Sequence, residues 1–275
     1  MDNSSTSKRN PNSVINMKIL KTLFYYTLVV LIAFFPLSYI HAANSHSIDL
    51  EAGSSQYLNI ADNASLSITG DMTVEAWIKT ESTAEFALTK WTTSGNQRSW
   101  EFKVSSAGTF GVILSSAGSG LTQDAGSQAF SDGDWHHWTF AYDASAGEIE
   151  VYFDANSIDT MVSMDTSIFD GTADLDIGRD GGKTVFADGL IDEVRIWDDI
   201  RTASEISTNY QLELVGDEAN LQAYWKFNDD LLDETTNDND LTNNNSAVFS
   251  TNVPFVGEAG GVTPGAPKMM MGMSF

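Results

Sequence analysis

Apolar and polar positions alternate along much of the chain, in short runs set apart by clusters of Gly, Asn, Asp and Ser. In "MTVEAWIK", Met72, Val74, Ala76 and Ile78 fall on one side and Glu75, Trp77 and Lys79 on the other. "SWEFKV" repeats the pattern with Trp100, Phe102 and Val104, and "EIEVYFD" with Ile149, Val151 and Phe153. Successive side chains of a strand point to opposite faces, so each run predicts a half-buried β-strand. Turn chemistry at Ser131-Asp132-Gly133-Asp134, Ser145-Ala146-Gly147 and Asp180-Gly181-Gly182 separates the runs. Many short strands with little helix predict an all-β fold, a two-sheet antiparallel sandwich or jelly roll. One helix signal stands out: Thr202 and Glu205 in "RTASEISTNY" have capping-box spacing, which predicts a helix of about two turns. The strand "LQAYWKF", 221–227, leads into "NDDLLDETTNDNDLTNNN", read as a mobile polar loop.

The chain has 275 residues, 42% of them apolar, enough for one large all-β domain with a sizeable core. Its amino end reads as an export signal: a basic start at Met17–Lys21, an apolar run from Leu23 to Phe35, then Pro36 and "SYIHAA", with cleavage expected after Ala42. Met17 itself opens a signal of ordinary shape, so the true start can lie there. The alternative is an uncleaved anchor that holds the protein at a membrane, because Leu23 to Ile40 approaches the ~18 residues a bilayer span needs. The expected organisation is therefore a leader at 1–42, a jelly-roll domain at 43–255 and a flexible Gly/Pro/Met-rich tail at 256–275. The expected location is outside the cell, secreted or at the cell surface, with the periplasm as the other possibility.

Charge narrows the partners. Without residues 1–42 the chain keeps 10 basic and 37 acidic residues, a net charge of −27. A field of that sign repels phosphate backbones, so nucleic acid is excluded as a partner, and it concentrates divalent cations. The chain has no cysteine, so stability must come from the core, with a metal as the other contributor to consider.

In order, "SIDLEAGSSQYLNI", "DMTVEAWIK", "DWHHWTFAYD", "LDIG", "GLIDEVRIWDDIRTASEI" and "AYWKFND" resemble the laminin G-like, concanavalin A-like jelly-roll domains, over roughly residues 46 to 250. The resemblance implies two antiparallel sheets packed face to face, binding of carbohydrate or of a cell-surface or extracellular protein, and often a calcium ion. The superfamily also contains glycosidases, so fold alone does not settle activity.

Adjacent carboxylates at Asp192 and Glu193 are the first candidate for chemistry. Strand parity over 190–197 sets Asp192 with Leu190, Val194 and Ile196, and Glu193 with Arg195 and Trp197. Neighbours on opposite faces cannot act on one bond, whereas a glycosidase needs two carboxyls on one surface, ~5–9.5 Å apart. Glu193 and Arg195 are then expected as a surface ion pair, and Asp192 as a shielded carboxylate. A shielded carboxylate needs compensation, from backbone N–H groups or from calcium. Calcium takes ~6–8 oxygens, for which Asp62 and Asp49 are the candidate partners of Asp192.

Glu148 and Glu150 share a face and form a formal alternative dyad, expected to be solvated. His136 and His137 point oppositely, against a shared zinc. The loop acids Asp229, Asp230, Asp233, Asp238 and Asp240 lack the Gly and Glu of an EF-hand. No G-x-S-x-G elbow occurs, so no catalytic residue is assigned. Trp77, Trp91, Trp100 and Trp135 are either a sugar-stacking platform or fold packing, with packing the usual role of such rings. The resulting expectation is a non-catalytic binding or adhesion module for carbohydrate, with a polysaccharide hydrolase or lyase, and a structural surface protein, as alternatives.

Overall fold

Fifteen strands and one short α-helix make up the ordered architecture of a computed structural model that describes residues 44–256, apart from 81–84, 106–108, 129–131 and 182–183. The leader and the tail beyond Val256 lie outside the described residues, as do Ser131 and Gly182 of two turn signals. In chain order the strands are β1 (Ser47–Leu50), β2 (Tyr57–Ile60), β3 (Met72–Thr80), β4 (Glu85–Thr92), β5 (Gln97–Ser105), β6 (Thr109–Gly118), β7 (Thr122–Ser127) and β8 (His136–Asp143). They continue as β9 (Glu148–Phe153), β10 (Asn156–Met161), β11 (Leu175–Ile177), β12 (Gly189–Trp197), β13 (Leu221–Trp225), β14 (Thr242–Asn244) and β15 (Val248–Ser250), with helix α1 (Ala203–Asn209) after β12.

The strands form two antiparallel sheets. One has eight strands in the order β10-β9-β8-β3-β12-β1-β15, with β13 also paired to β12; the other has seven, in the order β14-β2-β11-β4-β5-β6-β7. The alternation read from the sequence fills the space between them. Val74, Ala76 and Ile78 from β3, Trp100, Phe102 and Val104 from β5, and Ile149 and Val151 from β9 all belong to one buried cluster. Stacked rings such as Phe102 on Phe140, centroids 5.1 Å apart, tie the sheets together.

Local chemistry fixes the elements as the sequence predicts. Thr202 caps α1: its Oγ1 accepts from Glu205 N at 3.3 Å while the Glu205 carboxylate accepts from Thr202 N at 2.8 Å. After β11 the chain turns at Gly178, where φ is 83° and a Cβ would fall 2.4 Å from Leu50 Cδ1, so only glycine fits there.

The acidic segment after β13 differs from the mobile loop expected of it. Asp233 is buried, and its carboxylate accepts from Tyr224 N, Thr235 N, Thr235 Oγ1 and Asn239 N at 2.8 to 3.0 Å. One carboxylate thus collects donors from β13 and from its own loop, which fixes the loop against the sheet.

Candidate functional site

Asp192 and Glu193 sit at a seam. One edge of β12 pairs with β1 at Gly189–Ile191 and with β13 at Val194–Trp197, and the two acids occupy the gap between. On the other edge β3 runs unbroken, Asp192 opposite Trp77 and Arg195 opposite Glu75, so β12 carries one extra residue there. That is a β-bulge, and Glu193 adopts φ 52° to make it.

The bulge resets the parity. Asp192 lies with Trp77 on the outer face of the eight-stranded sheet, while Val194 and Ile196 point into the core. The expectation that Asp192 shares a face with those two is therefore corrected. The surface ion pair is corrected too: Arg195 Nη2 does donate to Glu193 Oε2 at 2.7 Å, but both side chains are 0% exposed. Both acids have come to the same, roofed side of the sheet.

The roof comes from three directions. Arg195 donates to the carbonyls of Asn209, which ends α1, and of Leu212 just beyond it, and Trp77 donates to Tyr210 O at 2.7 Å. Tyr224 of β13 donates its hydroxyl to Glu193 Oε2 at 2.6 Å. From the amino end, Asn44 Nδ2 donates to Asp192 Oδ2 at 2.9 Å, and the other oxygen accepts Glu193 N at 2.9 Å. Asn228 accepts from Ser45 N and donates to the buried Glu213, closing the seam.

Several buried carboxyls cluster here, and Glu193 and Glu75 share the Arg195 guanidinium. Burial, reinforced by Glu193, pushes Asp192 well above the usual carboxylate range. Burial also raises Glu193, to about 7, although Arg195 and Tyr224 pull it down. Glu75, whose Oε1 accepts from Trp197 Nε1 at 2.8 Å, is raised by burial against the pull of Arg195. His137 is held well below its usual value, by burial first and then Arg195, so the ring is neutral. With Asp192 and Glu193 sealed at 0% exposure, no substrate can reach them. The pair belongs to the frame.

The calcium set of Asp192, Asp62 and Asp49 is not assembled. Asp62 follows β2 of the other sheet, its carboxylate 2.5 Å from the buried Lys90 Nζ, and Asp49 lies in β1 opposite Leu190. Among the described residues no group of three or more His, Asp or Glu side chains is arranged to hold a metal ion.

Glu148 is exposed, and Glu150 bonds the Ser157 and Thr160 hydroxyls across the hairpin. His136 pairs with Asp154 and Asp132, whereas His137 is buried beside Glu75, so the two rings do part. Trp77, Trp91 and Trp100 are buried in packing, and Trp135 donates to Asn252 Oδ1 at 3.0 Å. They form no exposed platform.

An accessible cleft lies elsewhere, among residues that sequence reasoning passes over. A cleft of about 310 Å³ opens between the segment 64–71, Asp198 just beyond β12, and Gln222 of β13. Asn63 shapes its wall, its Oδ1 accepting from Ser65 N and Oγ at 3.2 and 3.3 Å. Ser65, Ser67, Thr69, Asp71, Asp198 and Gln222, residues that carry hydroxyl, carboxylate and amide groups, line it together with Ile68. Asp71 is held by Ala144 N at 2.9 Å, while the Asp198 carboxylate and the Gln222 amide have no side-chain hydrogen-bond partner among the described residues. Such a row of acceptors with an amide can bind vicinal hydroxyls. Only the Asn63-x-Ser65 turn spacing hints at it in the sequence.

Two facing antiparallel sheets around one core define a jelly-roll sandwich. A laminin G-type family model, described as the concanavalin A-like lectin/glucanases superfamily, matches residues 52–207. The chain belongs to that superfamily. Among solved structures it is similar to a Bacteroides ovatus protein provisionally named for carbohydrate binding, with TM-score 0.57, 16% identity and coverage of 75% of this chain. The chain spans 60% of that protein's length. It is also similar to a heptameric SAP-like pentraxin from Limulus polyphemus, with TM-score 0.53, 14% identity, and coverage of 77% of this chain and 97% of that one. At these identities the likeness is one of fold. No curated protein sequence matches the chain.

Proposed function

We propose that the protein is an exported, non-catalytic carbohydrate-binding module that takes neutral sugar hydroxyls in the cleft between Asp71, Asp198 and Gln222. The observation that carries this reading is the cleft itself, open, polar and about 310 Å³, on a sandwich whose adjacent acid pair is sealed from solvent. Family membership and the name of the Bacteroides ovatus protein support the ligand class. Carboxylates at Asp71 and Asp198 accept from sugar hydroxyls and repel uronate, sialate or sulfate groups, which sets neutral glycans as the ligand.

The test is a glycan array of neutral and acidic oligosaccharides. Binding should fall on neutral glycans and drop about tenfold in Asp198→Ala, the loss of one charged hydrogen bond. Binding restricted to acidic glycans would overturn the reading. Cleavage of any bound glycan, lost in Asp71→Asn, would replace it with a hydrolase, since two carboxylates line the cleft.

A further inference from the structure

At the β14–β2–β11 end of the seven-stranded sheet, the outer face carries a compact polar and aromatic patch. Core positions Leu58, Leu175 and Ile177 turn inward, so Tyr57, Asn59 and Asp176 between them point outward. Arg179 Nε and Nη2 both donate to Asp176 Oδ2, at 2.9 and 2.6 Å, and the guanidinium lies 4.0 Å from the centroid of the Tyr57 ring. Phe186 flanks that ring, centroids 6.0 Å apart. Alongside, Asn244 Nδ2 donates to Asn59 Oδ1 at 2.8 Å and Asn59 Nδ2 donates to Asp174 Oδ2 at 3.0 Å.

Three features of this patch exceed what packing requires. The guanidinium is locked by a carboxylate on one edge and a ring on its face, yet its Nη1 has no acceptor among the described residues. Directly beneath, Asp176 is 2% exposed and its Oδ1 is buried without a hydrogen-bond donor, an acceptor that costs free energy until one is supplied. Tyr57, Asn59, Arg179, Phe186 and Asn244 are all half-buried, so the patch is neither sealed nor scattered. An arginine fixed in this way has little entropy left to lose on binding.

We propose that this patch is a second saccharide-binding site, in which the free edge of Arg179 and the Asn59–Asn244 amide row grip neighbouring hydroxyls of a neutral sugar lying against Tyr57 and Phe186. The proposal rests on the carbohydrate reading above. Donors and acceptors alternate along the row, which suits hydroxyls that both give and take a proton. An anionic ligand would face the carboxylates of Asp174 and Asp176. Burial raises Asp176 to about 6, against the pull of Arg179.

The experiment follows the side-chain amide resonances of Asn59 and Asn244 while the full chain is titrated with neutral gluco-, manno-, galacto- and xylo-oligosaccharides. At least one series should shift both amides. Arg179→Lys, which keeps the charge and loses the planar fork, should weaken that response about tenfold, and Asn244→Ala should weaken it without touching the Asp176–Arg179 pair. Asp198→Ala should leave it unchanged. Thermal melting of each variant separates lost binding from lost folding. Sugar-induced shifts confined to the Asp198–Gln222 cleft would overturn this second site and leave the first standing. No shift at either place with any sugar would overturn both.

Discussion

Replacing the Glu193 carboxyl with an amide, Glu193→Gln, should flatten the pH dependence of stability. The folded protein raises this carboxyl from 4.5 to about 7, chiefly by burial, so the folded state holds its proton more tightly than the unfolded chain does. A raised acid contributes nothing adverse below the unfolded value, where both states are protonated. As pH climbs from 4.5 to 7 the folded state must either keep a proton the unfolded chain has released or bury a charge, and stability falls. At 1.36 kcal/mol for each unit, the full loss is about 3 kcal/mol by pH 8. Asp192, Glu75 and Asp176 are raised by burial as well and push the same way, as does His136, raised by its bond to Asp154; His137, held low by burial, opposes them only below its ordinary value near 6.5. Asp132, Asp143 and Glu205, which hydrogen bonds lower, act only below the ordinary carboxylate range.

The substituted amide would keep an oxygen for the Arg195 and Tyr224 donors while removing the titration. Urea unfolding at pH 5, 6, 7 and 8 should show wild-type stability declining, by about 1.4 kcal/mol per pH unit for each proton retained by the folded state. The variant should lose most of one proton's share of that slope. A wild type that grows more stable from pH 5 to pH 8, or a variant with the full wild-type slope, would refute the reasoning.

Two further outcomes are expected. Lys90→Met should destabilise the fold by about 3 kcal/mol in the same unfolding assay, because it strips the carbonyls of Gly171 and Ala173 and the Asp62 carboxylate of their shared donor; a change below about 0.5 kcal/mol would contradict that role. Mass spectrometry of exported protein should find an amino terminus near Ala43, whereas full-length chain retained in membranes would show the leader to be an anchor.

The sandwich is legible because a period of two survives wherever a strand is half-buried, as in Val74, Ala76 and Ile78, and the cap at Thr202 because its spacing is local. Parity misplaces Asp192 by one residue. A bulge adds a single position to one strand and turns every later side chain to the other face, and nothing in "IDEVRIW" marks Glu193 as the position with φ 52°. Two adjacent acids in an apolar run are the available sign that the strand is irregular there. Burial of Glu193 and Arg195 comes from a roof supplied by Tyr210 to Leu212 and Tyr224, which parity along one strand cannot see. Asp233 looks solvated by composition, yet it gathers four donors from two segments. The cleft draws on Ser65, Asp198 and Gln222, which meet only in the folded chain.

The pairing of β1 with β15 has a mechanical consequence. The two strands are antiparallel neighbours, and Ser47, where β1 begins, is paired with Ser250, where β15 ends. Tension applied through the chain on either side of the domain therefore meets the ladder at its open end and parts Ser47 from Ser250, then Ile48 from Phe249, then Asp49 from Val248. Bonds loaded one after another yield at far lower force than bonds sheared together. Held by both ends, the domain would peel from this edge; held by one end, it would carry load without straining the pair at all.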